Sequence, residues 1–323
     1  MSTPAVSVVM PAYNVAGYIE AAVASVLSQD VDLELVVVDD GSTDGTSERL
    51  RGIGDPRLRV ITQPNSGRPS IARNRGIREA RAPILAFLDG DDIYLAGKLR
   101  RTLAVLEARA DVAFVFHNVW DMDADGTCGS DSYLTRHGFL TQAQPYLEPL
   151  GDGHHLGSPR FFAYVSAFFS PFLMSAIVLR RQLLDGQAVW FREDLRCGED
   201  IELWFRLMPQ TRTVYIDEYL SAYRYRPDST TRDTRDYLRG TLQAHEENLA
   251  RVGPRLTDVE RARYVHRIAD RYLHLAYAER LAGRATEARA NCRRSFAWRK
   301  SPQAVMLFMK SFLPLRGESS QAS

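Results

Sequence analysis

The chain has 323 residues, enough for one large domain or two ordinary ones, and its 45% apolar content can supply a sizeable core. Forty-one Lys and Arg against 40 Asp and Glu leave a formal charge of +1, which argues against a polyanion-binding protein and so against a nucleic-acid partner. Three widely separated cysteines, Cys128, Cys197 and Cys292, form no CxxC pair, which argues against a zinc site or disulfide framework and fits a reducing compartment.

Met1-Ser2-Thr3-Pro4 leads directly into an apolar run, without the basic and apolar regions of a signal peptide. Val6 to Met10 is rich in β-branched residues and is closed by Pro11, so it reads as the first strand. Pro11 to Asn14 follows as a loop, and Ile19 to Gln29 sets Ile19, Val23, Val26 and Leu27 at helical spacing. Glu34 to Val38 is the second strand. It ends in Asp39-Asp40-Gly41-Ser42-Thr43-Asp44, where Ser42 or Asp44 can cap a helix to about Gly52. Leu58 to Ile61 reads as the third strand, Gln63 to Gly67 as a loop, and Ser70 to Ala80 as a helix carrying Arg73. Ile84 to Leu88, bounded by Pro83 and Gly90, suits a buried parallel strand and runs straight into Asp89-Gly90-Asp91-Asp92. A helix from about Ala96 to Ala110 and a fifth strand, Val112 to Val119, come next.

Strands alternating with helices imply an α/β fold with a mostly parallel sheet and right-handed crossovers. Ligands of such sheets bind outside the carboxyl ends of the strands. Three loops reach that edge: Pro11 to Asn14, Asp39 to Asp44, and Asp89 to Asp92. The first turn has no GxGxxG and the chain no GxxxxGK[ST], so neither a dinucleotide fingerprint nor a P-loop is present. Three carboxylates within four positions repel one another unless water or a cation offsets the charge. A hard divalent ion such as Mg or Mn takes one or two carboxylates plus substrate phosphates, which makes this turn a candidate metal–phosphate site. The competing reading is an acidic turn that caps the next helix.

Asp121 to Gly126 imitates the start of a calcium loop, but Ser132 stands where the bidentate Glu belongs, and a hairpin turn is the better reading. Ser130 to Pro159 is irregular and reads as a substrate loop, with His154-His155 as surface histidines. Phe161 to Leu179 is an uncharged stretch of 19 residues, yet Pro171, Tyr164 and its serines favour buried core over a membrane span, with Phe172 to Leu179 returning as a strand. Glu199-Asp200 open the apolar helical run Ile201 to Met208. Acids at a helix N-terminus are stabilised by the macrodipole, and a carboxylate under apolar cover beside another acid also suits a general base. Thr213 to Tyr225 supplies one or two strands, followed by Arg226-Pro227. Beyond Asp233 the pattern is helical: Tyr237 to Val252, Asp258 to Leu281, Thr286 to Ala297 and Gln303 to Leu313. Arg280 to Ala288 looks like the turn of one helical-hairpin unit, too few for a repeat array. The last helix carries Val305, Leu307, Phe308, Met309, Phe312 and Leu313, and is expected to pack on the main domain, with a membrane surface or a partner as the alternative.

Taken together, five stretches resemble the glycosyltransferase family 2: Val6 to Asn14 with its following helix, Val36 to Thr46, Asn65-Ser66-Gly67 with Ala72-Arg73-Asn74, Phe87 to Asp92, and Glu199-Asp200. The resemblance spans roughly Pro4 to Arg226. It implies a GT-A fold, a Rossmann-like mostly parallel sheet flanked by helices, here with a C-terminal helical appendage. It also implies inverting transfer of a sugar from a nucleotide-diphospho-sugar to an acceptor hydroxyl in polysaccharide or glycoconjugate synthesis. By the same resemblance, Pro11, Ala12 and Tyr13 line the base pocket, Asp40 bonds the base, and Arg73 sits nearby. Asp89-Gly90-Asp91 matches the DxD motif, with Asp89 toward the ribose, Asp91 on a divalent metal (Mn or Mg), and Asp89 and Asp92 as further ligands. Asp200 is the expected base, with Glu199 beside it. The expected domains are 1–232, with a nucleotide-sugar half of about 1–120 and an acceptor half of about 121–232, then a helical region over 233–316 and a disordered tail over 317–323. The acceptor is a glycan, lipid-linked or protein-linked. The expected location is the cytoplasm, with the C-terminal helices as a candidate peripheral contact on the inner membrane face. Two other readings use the same residues. A haloacid-dehalogenase-like phosphatase places its acids after the first strand, not the fourth. A non-catalytic nucleotide-sugar-binding scaffold has no use for Asp200.

Overall fold

β-branched runs joined by amphipathic helices can pair in few ways, and the chain follows the simplest of them. The first runs form β1 (Val6–Ala12), α1 (Ile19–Leu27), β2 (Leu33–Asp39), α2 (Thr46–Arg51), β3 (Leu58–Thr62), α3 (Pro69–Glu79) and β4 (Ile84–Phe87). Next come β5 (Ile93–Tyr94), α4 (Lys98–Ala108), β6 (Val112–Met122), β7 (Cys128–Ser132), α5 (Tyr133–Arg136), α6 (Phe139–Ala143), β8 (Leu147–Gly151), β9 (His154–Gly157) and α7 (Phe161–Ala167). The rest is β10 (Val178–Arg180), α8 (Glu199–Leu207), β11 (Arg212–Arg224), α9 (Thr234–Val252), α10 (Asp258–Leu281), α11 (Ala285–Trp298) and α12 (Pro302–Lys310). The computed structural model describes residues 3–183, 186, 188–226 and 234–313. They divide into two units, one within Met1–Phe162, Ser170–Asp194 and Arg206–Ser229, the other within Ala163–Phe169, Leu195–Phe205 and Thr230–Ser323. The tail over 317–323 and Pro227 lie outside the described residues.

In the first unit the strands lie in the order β3-β2-β1-β4-β10-β6-β11-β9-β8. β3, β2, β1 and β4 are parallel, as are β6 and β11, while β10 runs antiparallel between β4 and β6. Val6, Val8, Met10, Leu35, Val37, Ala86 and Val115 are buried in one continuous core with the apolar face of α1. On the other face α3 comes so close that a Cβ at Gly76 would stand 2.4 Å from Val9 Cγ1. Pairing of Ala12 with Asp39 and of Val9 with Phe87 brings the ends of β1, β2 and β4 to one edge.

Several expectations need correction. Ser130 to Pro159 is not an irregular loop, because it folds into α5, α6 and the β8–β9 hairpin, elements too short to leave a readable period. The strand expected over Phe172 to Leu179 is reduced to β10, because Met174–Ala176 turns as a 3-10 helix closed by Ala176 N–H on Leu173 O. Thr213 to Tyr225, expected as one or two strands, forms one, β11, and the addition is the unforeseen two-residue β5 paired with it. The turn after Asp121 is the expected hairpin between β6 and β7. Among the described residues no helix is long and apolar enough to cross a membrane.

The second unit is helical. α10 opens on a capping box in which Thr257 accepts from Glu260 N–H and Glu260 returns the bond to Thr257 N–H. Its interior includes a buried polar cluster: Asn248 Nδ2 donates to Ser166 Oγ and to the Tyr264 hydroxyl, both at 2.9 Å. Ala276, Cys292 and Leu307 form a small apolar cluster with Leu273 and Phe308. The last helix was expected to pack on the main domain; instead Leu307 and Phe308 pack on α10 and α11 within this unit, while Val305, Met306, Met309, Phe312 and Leu313 are 48–64% exposed.

Candidate functional site

The edge where β1, β2 and β4 end is built by backbone bonds between their loops. Asn14, at φ +51°, accepts from Thr43 N–H at 2.9 Å, while Asn14 N–H donates to Ser42 Oγ at 3.0 Å. Asp44 accepts from Ala16 N–H at 2.9 Å and from Thr46 N–H at 3.0 Å. Asp39, fully buried, accepts from Ser42 N–H at 3.1 Å and from the Ser47 hydroxyl. These contacts lock the first two loops together and leave the 47%-exposed Tyr13 ring at the rim, with Pro11 half-buried and Ala12 buried.

Asp40 is buried, and its N–H donates to Ala12 O at 2.9 Å. Its carboxylate accepts from Gln63 Nε2 at 2.7 Å and Ser66 Oγ at 2.8 Å, tying the β2 loop to the loop before α3. Between them Gly41 adopts φ +73°, and a Cβ there would meet Asn65 N at 2.6 Å, so only glycine fits. From α3 the nearly buried Arg73 donates to Asp89 Oδ1 at 2.8 Å and lies 5.7 Å from the centre of the Phe191 ring. Its neighbour Asn74 holds that ring's backbone, donating to Phe191 O at 2.8 Å and accepting from Phe191 N–H at 2.9 Å.

The acidic turn divides its three carboxylates into two kinds. Asp89 and Asp91 remain partly exposed, with side-chain accessibilities of 28% and 19%. Gly90 between them packs against Pro11 O and Val15, where a Cβ would approach to 3.3 and 3.1 Å. Asp91 forms an ion pair with Arg226, Oδ2 to Nε at 2.8 Å. Burial and then the Asp89 charge push the Asp91 carboxyl up to about 6, against the pull of Arg226. Arg226 and Arg224 both lie over the Tyr18 ring, and Arg224 Nε donates to Asp91 O at 2.8 Å. Asp92 faces inward. One oxygen accepts from Arg224 N–H at 2.8 Å and the other from the Ser175 hydroxyl, with the buried Lys98 ammonium donating to Ser175 O. Burial drives Asp92 well above the usual carboxylate range, helped by Asp91 and Asp89, and drives Lys98 well below the usual amine range. Asp92 therefore braces the turn from beneath. Both its oxygens already serve protein donors.

The donor chemistry suits a divalent cation. Among the described residues no cluster of three or more His, Cys, Asp or Glu is preformed. What the turn offers is two partly exposed carboxylates, Asp89 paired with Arg73 and Asp91 with Arg226. An ion such as Mg or Mn commonly uses just such a pair and completes its shell with phosphates and water.

Glu199 and Asp200 belong to the second unit, at the first turn of α8. Gly198 stands before them at φ +79°, and Asp200 Oδ1 accepts from Ile201 N–H at 2.7 Å. The passing helix α9 can approach only because Gly240 has no side chain: a Cβ there would lie 1.9 Å from Cys197 O. Burial and the charges of Glu199, Asp236 and Asp200 push the Cys197 thiol up to about 11. Burial, then the Asp200 charge, also raises the Tyr237 hydroxyl. A negative field thus surrounds the start of α8.

Lys98, Ser175, Phe191 and Tyr18 are the supporting residues that sequence reasoning missed. Lys98 alone left a signal, since it shares a helical face with Thr102 and Val105, which face the core. The others join the site through contacts far apart in the chain.

Known proteins bear on this geometry. The family model described as Glycosyl transferase family 2 matches residues 7–158. The uncharacterized glycosyltransferase EpsJ of Bacillus subtilis is 31% identical over 232 residues, covering 71% of this chain and 63% of EpsJ. The chain therefore spans less than two thirds of that relative. The putative teichuronic acid biosynthesis glycosyltransferase TuaG of the same organism is 30% identical over 225 residues, covering 68% of this chain and 79% of TuaG. Among solved structures, the mannosyltransferase PcManGT of Pyrobaculum calidifontis, in complex with GDP-Man and Mn2+, matches at a TM-score of 0.57 and 20% identity, over 97% of this chain and 81% of that one. That likeness concerns the fold, a central mostly parallel sheet flanked by helices.

Proposed function

Because the chain belongs to glycosyl transferase family 2, we propose that it moves a sugar from a nucleotide-diphospho-sugar to an acceptor hydroxyl with inversion, in the synthesis of a polysaccharide or related glycoconjugate. The observation that carries this reading is the meeting of Asp40, Arg73, Asp89 and Asp91 at the carboxyl edge of adjacent parallel strands. The likeness to TuaG, a putative teichuronic acid biosynthesis glycosyltransferase, supports the polymer class.

In this reading Pro11, Ala12 and Tyr13 wall the base, Asp40 bonds it, and Asp89 reaches the ribose while Arg73 fixes its carboxylate. Asp91 with Asp89 would hold a divalent metal, Mn or Mg, and the Mn2+ in PcManGT's complex supports that assignment. When bound, the ion supplies positive charge to the diphosphate leaving group. Arg226 screens Asp91 until donor arrives and is then available to the phosphates. Asp200, with Glu199 beside it, takes the proton from the acceptor hydroxyl as that oxygen attacks the anomeric carbon. A single displacement needs one base and no enzymic nucleophile, and the acids at the head of α8 supply that base. The donor half is about residues 1–120 and the acceptor half about 121–232, followed by the helical region over 233–316. The grouping of Leu195–Phe205 with the C-terminal helices supports giving those helices a share in acceptor handling.

The same helices suit a peripheral membrane contact. Between Arg280 and Leu313 eight basic residues face one acid, and five apolar side chains of α12 and its end are exposed. A basic, apolar surface of that kind binds anionic lipid.

Asp200→Asn tests the catalytic reading. It should abolish sugar transfer while leaving nucleotide affinity unchanged. Full transfer by the variant would rule out Asp200 as the base.

A further inference from the structure

The second unit contains a cleft of about 580 Å3 whose floor is one face of α10. Arg263, Arg267 and Arg271 line it at intervals of four residues, joined by His266 and His274, with Asp270 as the sole acid. Side chains four apart on a helix are neighbours, so three guanidinium groups stand in a row. Asp270 lies 3.0 Å from His266 Nε2, and one acid against three guanidinium groups leaves the face with net positive charge. Arg263 lies 4.2 Å from the centre of the Phe168 ring at the cleft, and Arg271 donates to the Thr241 hydroxyl at 3.1 Å. Both partners are uncharged. Arg267 donates to the Val165 and Ser166 carbonyls at 3.0 and 2.8 Å, which fixes the middle of the row rigidly. The positive field reaches the core of the unit: burial drives His245 well below its ordinary range, and Arg267 and Arg271 push it further down. Like charges stacked along a helix repel one another, and an anion bound between them would relieve that repulsion.

The row also points somewhere. Arg271 donates to the Thr241 hydroxyl, and Thr241 packs so closely on Gly198, the residue before Glu199, that a Cβ there would stand 3.0 Å from Thr241 Cγ2, so the arginine row leads toward the head of α8 within the same unit. Guanidinium groups in a fixed row match oxyanions with several acceptor oxygens. We infer that this cleft is an acceptor subsite that binds an anionic group, a phosphate or a carboxylate, carried by the glycan acceptor. The inference rests on the reading of Asp200 as the acceptor base. It restricts the acceptor to an acidic one: either a phosphorylated carrier or a chain bearing an acidic sugar.

The test is titration calorimetry of the full chain with inorganic phosphate and with glucuronate, at constant ionic strength and in EDTA so that no metal–phosphate complex forms at the acidic turn. Asp91→Asn is run in parallel. One probe should bind saturably to the wild type and to Asp91→Asn alike, the stronger probe identifying the source. Arg263→Glu should weaken that binding at least tenfold, and Arg263→Gln, which removes the charge with less disturbance, should weaken it in the same sense. Circular dichroism and nucleotide affinity should be unchanged in both. Absence of saturable binding by either probe, or binding as tight in both Arg263 variants as in the wild type, overturns the inference. The two readings fail separately. Anion binding lost in the Arg263 variants, with full transfer by Asp200→Asn, supports the cleft and overturns only the base. Absent anion binding with transfer abolished by Asp200→Asn overturns only the cleft.

Discussion

Gly240→Ala is the sharpest probe of how the proposed base is held. A methyl group there would lie 1.9 Å from the Cys197 carbonyl oxygen and 2.8 Å from its carbon, both backbone atoms that no side-chain rotation can relieve. Since Cβ atoms essentially never approach within 3.0 Å, the Cys197–Asp200 backbone and α9 must part by at least about 1 Å. The contact is tight from the other side too, since a Cβ on Gly198 would meet Thr241 N at 2.9 Å. Helix propensity works against a trivial explanation, because alanine favours a helix interior over glycine by about 1 kcal/mol. A catalytic group displaced by about 1 Å typically costs about 100-fold in rate. We expect kcat, followed as nucleoside diphosphate release with acceptor present, to fall by about that factor, with far-UV circular dichroism and nucleotide Kd unchanged. A Gly240→Ala enzyme with the wild-type kcat would refute the reasoning.

Three further outcomes follow from the packing. Lys98→Ala removes a fully buried side chain and the donor to Ser175 O and should cost about 2–5 kcal/mol of unfolding free energy in urea, part of it restored in Lys98→Met, which refills the space. Burial raises the Glu34 carboxyl, but the Ser7 hydroxyl and the Arg81 backbone and guanidinium outweigh it and leave its pKa lowered. Its contribution to stability is therefore complete above the unfolded carboxyl's pKa and disappears as pH falls through the lower folded value, so Glu34→Gln should reduce the melting temperature at pH 7 and much less at pH 3. Finally, Met309→Glu with Phe312→Glu should abolish co-sedimentation with vesicles containing anionic lipid without changing the melting temperature, because both side chains are more than 60% exposed.

The chemistry at the sheet edge was legible because each acid follows directly on an apolar strand, and strand direction alone sends Asp40, Asp89 and Asp91 to the same side. Asp91 and Asp92 show where that legibility stops. They are adjacent, identical in type and equally plausible as ligands, yet one side chain reaches the rim and the other turns inward to Ser175, 83 residues away. Only the folded backbone separates them. Arg226 follows a strand in the sequence, but its partnership with Asp91 depends on β11 pairing with the two-residue β5, which no local pattern announces. Of the last three helices, Asp258–Leu281 was readable to the residue and the other two to within three residues, since their periodicity is clear and their ends carry Thr257, Gly283 and Pro302. The sharing of Leu195–Phe205 with those helices was not, because it rests on two glycines, Gly198 and Gly240, whose close approach is invisible in one dimension.

The central claim is a metal-dependent nucleotide-sugar site at the acidic turn. It is tested most directly by a thermal-shift panel of UDP, GDP, dTDP and CDP, each with and without Mn, on the wild type and on Asp91→Asn. The account predicts a rise in melting temperature with one of these nucleotides, dependent on Mn and lost in Asp91→Asn. No rise with any of the four, or a rise that is the same without Mn and in Asp91→Asn, would contradict it.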